Sequence, residues 1–200
     1  MLRLAPKSAL AIPLPMINYS IRAENPGEAD AISKLHNDAF KGDAKIESLV
    51  PELRKLEAPF ATTSVVAQSL SGEVLGHVML SHSWLDAPDR LIDILVLSPL
   101  SVATAAQKQG IGTALIERAI DEASVTRSPI LILEGNPAFY GPRGFEKAKD
   151  YGICSPSLRI PEAALQMVRL PSYKAGTTGT LVYREIWWEL DSVDIRRTTS

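Results

Sequence analysis

Two stretches of this sequence combine residue types that can do chemistry. In the first, Gln107-Lys108-Gln109-Gly110-Ile111-Gly112-Thr113 opens an apolar-periodic run, so its two glycines fall where a helix begins. The unpaired N–H groups and the positive dipole end of a helix start favour an anion. Gly110 and Gly112 carry no Cβ, so the main chain there can come close to a ligand and take turn dihedrals. The chemistry predicted is a cradle for pyrophosphate. Other phosphate motifs fail: no Gly-Lys-Ser/Thr is present, and the third glycine of a dinucleotide fingerprint would fall on Leu115. A lone Gly-x-Gly would favour a plain loop before a helix, and what raises the phosphate reading above it is the pairing with a second stretch. It is Asn136-Pro137-Ala138-Phe139-Tyr140-Gly141-Pro142-Arg143-Gly144-Phe145, about 25 residues downstream and just after an apolar run.

These stretches need elements to position them. Tyr19 to Ala23 alternates weakly before the turn Glu24-Asn25-Pro26-Gly27 and reads as a first strand. Helical spacing of Ile32, Leu35, Ala39 and Phe40 predicts a helix over Glu28 to Phe40. Ile46, Leu49, Val50, Leu53 and Leu56 continue the pattern, with Pro51 expected to kink or split that second helix. Thr62 to Leu70 and Val74 to Trp84 flank Ser71-Gly72-Glu73 as an antiparallel hairpin. Leu91 to Val102 is a further strand that should bulge or pull away from a neighbour at Ser98-Pro99, since proline cannot donate to a ladder.

Beyond the polar loop from Ala103 to Gln109, the residues Ile111, Leu115, Ile116, Ala119, Ile120 and Ala123 share one helix face. Pro129 to Leu133 reads as a short buried strand, Asn136 to Gly141 as a helical turn, and Phe145 as the start of another strand. Thr180 to Leu190, rich in β-branched and aromatic residues, reads as a closing strand with Trp187 and Trp188 on opposite faces. The architecture expected is α/β (α+β): a mixed, mostly antiparallel sheet of six to seven strands with helices on both faces.

Composition sets the bounds. A chain of 200 residues fits one domain, and 46% hydrophobic with 22% charged residues is ordinary for a globular protein. A formal net charge of -2 argues against nucleic acid, whose binding needs a basic face. No apolar stretch approaches the ~20 residues of a membrane span. The single cysteine, Cys154, excludes an internal disulfide and multi-cysteine metal sites and suits the cytoplasm; it reads as a small, partly buried apolar residue. No metal is expected. Residues 1–16 carry Arg3 and Lys7, no acid, and Pro6, Pro13 and Pro15, so they read as a disordered leader, with a mitochondrial transit peptide as the alternative. The folded domain is expected over 17–190 and a tail over 191–200.

Together the two stretches resemble the Gcn5-related N-acetyltransferases, with their Gln-x-x-Gly-x-Gly loop after the fourth strand and Tyr-x-x-x-Gly-Phe element after the fifth. The likeness extends to Gly76-His77-Val78, to Leu100-Ser101-Val102 and to a Gly-Thr-x-x-Tyr strand at Gly179 to Tyr183. It covers roughly Ile17 to Glu189 and is most similar to a bacterial-type subfamily of predicted N-acetyltransferases. The resemblance implies that acetyl-coenzyme A is the acyl donor and a primary amine, on a small molecule or a peptide, the acceptor. It implies further that Leu100, Ser101 and Val102 meet the acetyl-pantetheine arm through backbone amides. Gln107, Lys108, Gln109, Gly110, Ile111, Gly112 and Thr113 would hold the pyrophosphate, and Asn136 and Phe139 would lie beside the pantetheine or thiol end. Tyr140 would be the general acid, and similar proteins form dimers.

The implied chemistry is direct attack by the amine on the thioester. Backbone donors near Leu100 to Val102 would stabilise the oxyanion, each worth about 3 kcal/mol. A phenol of pKa about 10 can return a proton to a thiolate whose thiol has a pKa near 8.5. In members of the broader family a Glu on the fourth strand activates the amine, and the corresponding position here is Val96. The base is thereby unassigned among Asp93, His82 and Glu134, and His77 is expected to pack. The same departure motivates the alternative of a catalytically impaired acyl-coenzyme A binding module.

Overall fold

A computed structural model describes residues 17–41 and 44–193; the leader expected over 1–16 lies outside the described residues. The elements run β1 (Tyr19–Ala23), α1 (Ala29–Ala39), α2 (Ala44–Arg54), β2 (Thr63–Ser69), β3 (Val74–Asp86), β4 (Leu91–Val102), α3 (Ile111–Ser124), β5 (Ile130–Glu134), α4 (Pro137–Tyr140), β6 (Glu146–Lys147), β7 (Ile153–Cys154), β8 (Leu165–Arg169), β9 (Gly179–Val182) and α5 (Glu185–Glu189). Among the described residues they form one nine-stranded sheet in the order β1-β2-β3-β4-β5-β8-β6, with β9 beside β3 and β7 beside β9. The β4–β5 and β7–β9 pairs are parallel and the others antiparallel. Beyond the expected strands, the sheet gains the short β7 and the longer β8.

Alternation sorts the core into two layers. On one face Val78, Leu80, Leu95, Leu97, Leu131 and Leu133 pack against Ile111, Leu115 and Ile116 of α3. On the other, Met79, Ile94, Val96, Ile130 and Ile132 pack against Leu49, Val50 and Leu53 of α2 and Trp187 of α5. Covered on both sides, Ile130, Leu131 and Ile132 are fully buried, and each such side chain contributes roughly 1.5–3 kcal/mol.

The bulge in β4 positions the site. Val78 pairs with Leu100 but Leu80 pairs with Leu97, so Met79 alone faces both Ser98 and Pro99. The extra residue resets the alternation, which returns Leu100 and Val102 to the α3 face with Leu95 and Leu97. Past the bulge β4 follows β3, while β5 follows β8. The parallel register between β4 and β5 covers only Leu95↔Leu131 and Val96↔Ile132. A gap therefore opens between the two central strands from Leu97 onward.

Three expectations are corrected. α2 is not split at Pro51, which forfeits a ladder bond while the burial of Val50 and Leu53 holds the helix against the sheet. The closing strand stops at Val182 and the chain re-forms as α5, with Trp187 buried and Trp188 exposed. Its reason is steric: Val182 pairs with Trp84, β2 already occupies the β3 edge from Leu80, and a longer β9 would meet it after three residues. Cys154 is exposed on β7 rather than partly buried, because β7 is a two-residue edge strand paired only to β9. Of the expected tail, Asp191 pairs with Lys45 at 2.6 Å and Val193 is fully buried, while 194–200 lie outside the described residues.

Candidate active site

The gap between β4 and β5 widens on the α3 face into a cleft of about 430 Å³. Its lining comprises Leu100, Ser101, Val102, Ala106, Gln107, Lys108, Gly110, Ile111, Gly112, Thr113, Phe139, Tyr140 and Arg143. Eleven of the thirteen residues expected to act thus share one concavity, although they come from β4, the loop before α3, α3 itself and α4. Main-chain direction can be worked out at the β4 wall. The Ala103 N–H donates to the Leu75 carbonyl at 2.8 Å, toward β3. Because strand amides alternate in direction, the N–H groups of Leu100 and Val102 point the other way, into the gap.

The α3 end of the cleft is built by backbone conformation. Gly110 caps the helix at φ +86°, and Lys108 is also left-handed at φ +61°, so the chain curls before the free amides of the first turn. Gln107 Nε2 donates to the Val102 carbonyl at 3.2 Å and ties that curl to β4. A Cβ on Gly112 would stand 3.4 Å from Phe139 Cζ and 3.7 Å from Val102 Cγ2, so even a methyl group there would fill the space between the walls.

Two expected residues fall outside the lining. Gln109 Oε1 accepts the Ile17 N–H at 2.7 Å and anchors the chain leading into β1. Asn136 Oδ1 accepts the Ala138 N–H at 3.0 Å, the cap that starts α4 with Pro137 in its first turn.

Two residues given no role in the sequence reading shape the cleft. Arg143 donates from Nε to Thr113 Oγ1 at 3.0 Å, from Nη1 to the Phe139 carbonyl, and lies 3.8 Å over the Phe139 ring. It fastens α4 to the first turn of α3 and brings a positive charge to the mouth; its only signal was being the one basic residue of the second motif. Gly135 lets the Tyr140 ring lie against the end of β5: a Cβ there would stand 2.2 Å from Tyr140 Cε2. Burial pushes the Tyr140 hydroxyl up to about 12, with Arg143 pulling the other way. The phenol is therefore protonated at every physiological pH.

The three base candidates separate by face. Asp93 pairs with Trp84 and His82 with Leu95, so both belong to the α3 face and precede the gap. His82 is held below the usual imidazole range by burial, with Asp93 opposing and Arg184 adding to the shift. Glu134 ends β5 on the opposite face, and Tyr183 donates its hydroxyl to Glu134 Oε1 at 2.6 Å. Val96 is buried beside Ile132, and Cys154 stands outside the cleft.

His77 packs as expected, but within a polar chain that periodicity did not announce. Arg54 Nη2 bonds both Glu24 oxygens at 2.8 Å, and Ser64 Oγ donates to Glu24 Oε2. With its proton committed, Ser64 Oγ accepts from His77 Nε2 at 2.7 Å, and His77 Nδ1 accepts from His36 Nε2 at 2.9 Å. Burial holds His36 down to about 4 and, with the neighbouring His36 and Arg54 charges, keeps His77 well below the usual range.

The fold and this cleft define a class, and sequence comparison agrees with it. The profile of the Acetyltransferase (GNAT) family matches residues 29–138. The chain belongs to the Gcn5-related N-acetyltransferase family and is an acyltransferase. It is 31% identical over 168 residues to the uncharacterized N-acetyltransferase YhbS of Escherichia coli strain K12, covering 82% of this chain and 96% of the relative. The crystal structure of Escherichia coli YhbS in complex with CoA is similar at a TM-score of 0.75 and 28% identity, over 88% of this chain and 96% of that one. A GNAT family acetyltransferase from Brucella melitensis, solved with acetyl-CoA, follows at 0.67 and 25%, over 85% and 98%.

Proposed function

We propose that the cleft binds acetyl-coenzyme A and that the chain transfers its acetyl group directly to a primary amine of a small molecule or peptide. The observation that carries this reading is the convergence on one concavity of the free α3 amides, the outward amides of Leu100 and Val102, and the Tyr140 hydroxyl. Similar proteins solved with CoA and with acetyl-CoA support it.

Each part has a task. The amides of Ile111, Gly112 and Thr113, with the Lys108 charge, take the pyrophosphate. Gln107 holds the loop to β4, and Phe139 under Arg143 forms the apolar wall for the pantetheine arm. Acetyl-coenzyme A supplies an acyl group already activated as a thioester. The Leu100 and Val102 amides meet the thioester oxygen, where each donor is worth about 3 kcal/mol as charge develops. Tyr140 keeps its proton until the sulfur leaves and then gives it up. Cys154 is not among the residues that line the cleft, which favours one-step transfer over an acyl-enzyme. Among the described residues no helix is long and apolar enough to cross a membrane.

The test is thiol release from acetyl-coenzyme A with a panel of primary amines. Amine-dependent release above the uncatalysed rate is expected. Tight binding with no release for any amine would instead favour a binding module.

A further inference from the structure

We propose that Glu134 is the general base of the transfer, replacing on β5 the carboxylate that β4 lacks at Val96; this rests on the transferase reading above. Val96 faces the α2 side of the sheet and lies opposite Ile132 in the parallel register. Glu134 follows Ile132 by two residues on the same strand, so its side chain rises from the same face about 7 Å farther along, where the strands have parted. The strand next to the empty position thus presents a carboxylate at the rim of the gap.

The surroundings suit that task. Tyr183 is buried, and burial together with the Glu134 charge keeps its hydroxyl protonated, so it serves only as a donor to Oε1. It is stacked on Trp187 with ring centroids 4.9 Å apart, which fixes the direction of the hydroxyl and through it the carboxylate. Glu134 itself is only half-buried, so proton exchange with water stays open. The residue after it, Gly135, carries the Tyr140 ring. Acid and base therefore attach to adjacent positions of one strand end: Tyr140 on the cleft side, Glu134 on the opposite face of the sheet. Asp93 and His82, which lie on the α3 face before the gap, have neither property.

The step balances. Glu134 takes one proton from the acceptor ammonium and frees the nitrogen lone pair. The N–C bond forms, the C–S bond breaks, and the departing electron pair on sulfur takes the Tyr140 proton. The second nitrogen proton restores the Tyr140 phenol through water, and Glu134 returns its proton to solvent.

The experiment measures kcat and KM for amines of graded pKa with wild-type protein, Glu134→Gln and Tyr183→Phe, alongside acetyl-coenzyme A affinity by calorimetry. Glu134→Gln is expected to lower kcat by roughly 100-fold or more with unchanged cofactor affinity. The loss should be greatest for the most basic amines and shrink for amines already neutral at the assay pH. Tyr183→Phe should lower kcat with little change in amine KM, and it decides the matter if the Gln variant does not fold. Wild-type turnover in either variant, or one loss factor for every amine, would overturn the assignment. A wild-type protein that binds the cofactor yet acetylates no amine would sink the transferase reading itself.

Discussion

The two faces of the sheet handle polar groups in opposite ways. On the α3 face the cofactor grip is made mostly of main chain: left-handed Lys108 and Gly110, the amides opening α3, and the outward N–H groups of Leu100 and Val102. On the α1 and α2 face polarity is carried by side chains, in the run Arg54–Glu24–Ser64–His77–His36 and the pair Tyr183–Glu134. The lesson concerns what each face tolerates. A backbone site survives many side-chain changes but fails when a Cβ or a charge enters its space. A buried side-chain network fails when one member is removed, because the partner left behind is desolvated and unpaired.

The largest effect should follow from Gly112→Asp. Its new atoms would press on Phe139 and Val102 and set a carboxylate against the phosphates, so calorimetry should find acetyl-coenzyme A binding weakened at least about 100-fold. Thermal stability should barely move. Retained affinity would break the claim that this face binds through its backbone.

Next in size is Tyr140→Phe, expected to lower kcat by about 100-fold while leaving cofactor affinity intact. The pH dependence carries a sign. The acid must be protonated, and burial raises Tyr140 to about 12, so its loss of a proton adds no falling limb to the rate between pH 8 and 10. A fall there that vanishes in the Phe variant would contradict the assignment.

Sequence legibility divides along the same line. The bulge was readable because Pro99 cannot donate to a ladder wherever it sits, and the glycine-opened start of α3 because its two glycines precede an amphipathic run. Arg143 and Gly135 were not, since one reaches 30 residues back to Thr113 and the other matters through a ring five positions on. Gln109 and Asn136 were expected at the cofactor from the family resemblance alone, and in the fold their side-chain oxygens accept from Ile17 and Ala138. The His36–His77 pair joins residues 41 positions apart, and the strand reading of Trp187 yielded to the β3 edge that β2 occupies.

On the opposite face, His77→Phe should cost about 1–3 kcal/mol of unfolding free energy by stranding Ser64 and His36, read from denaturant midpoints, with cofactor binding retained. Both imidazoles are depressed in the folded state, so the unfolded chain binds more protons below pH 6.5. Stability should be full above about 6.5 and fall as pH drops toward about 4, less steeply in the variant. The smallest effect belongs to Cys154→Ser, exposed and outside the cleft, which should leave kcat and stability unchanged.

The central claim is that main-chain N–H groups grip the cofactor, and amide chemical-shift mapping tests it most directly. Titrating isotope-labelled protein with coenzyme A should move the amides of Leu100, Val102 and Ile111 to Thr113 farthest, with those of β7 unchanged. Shifts confined elsewhere, or spread evenly over the chain, would contradict the account.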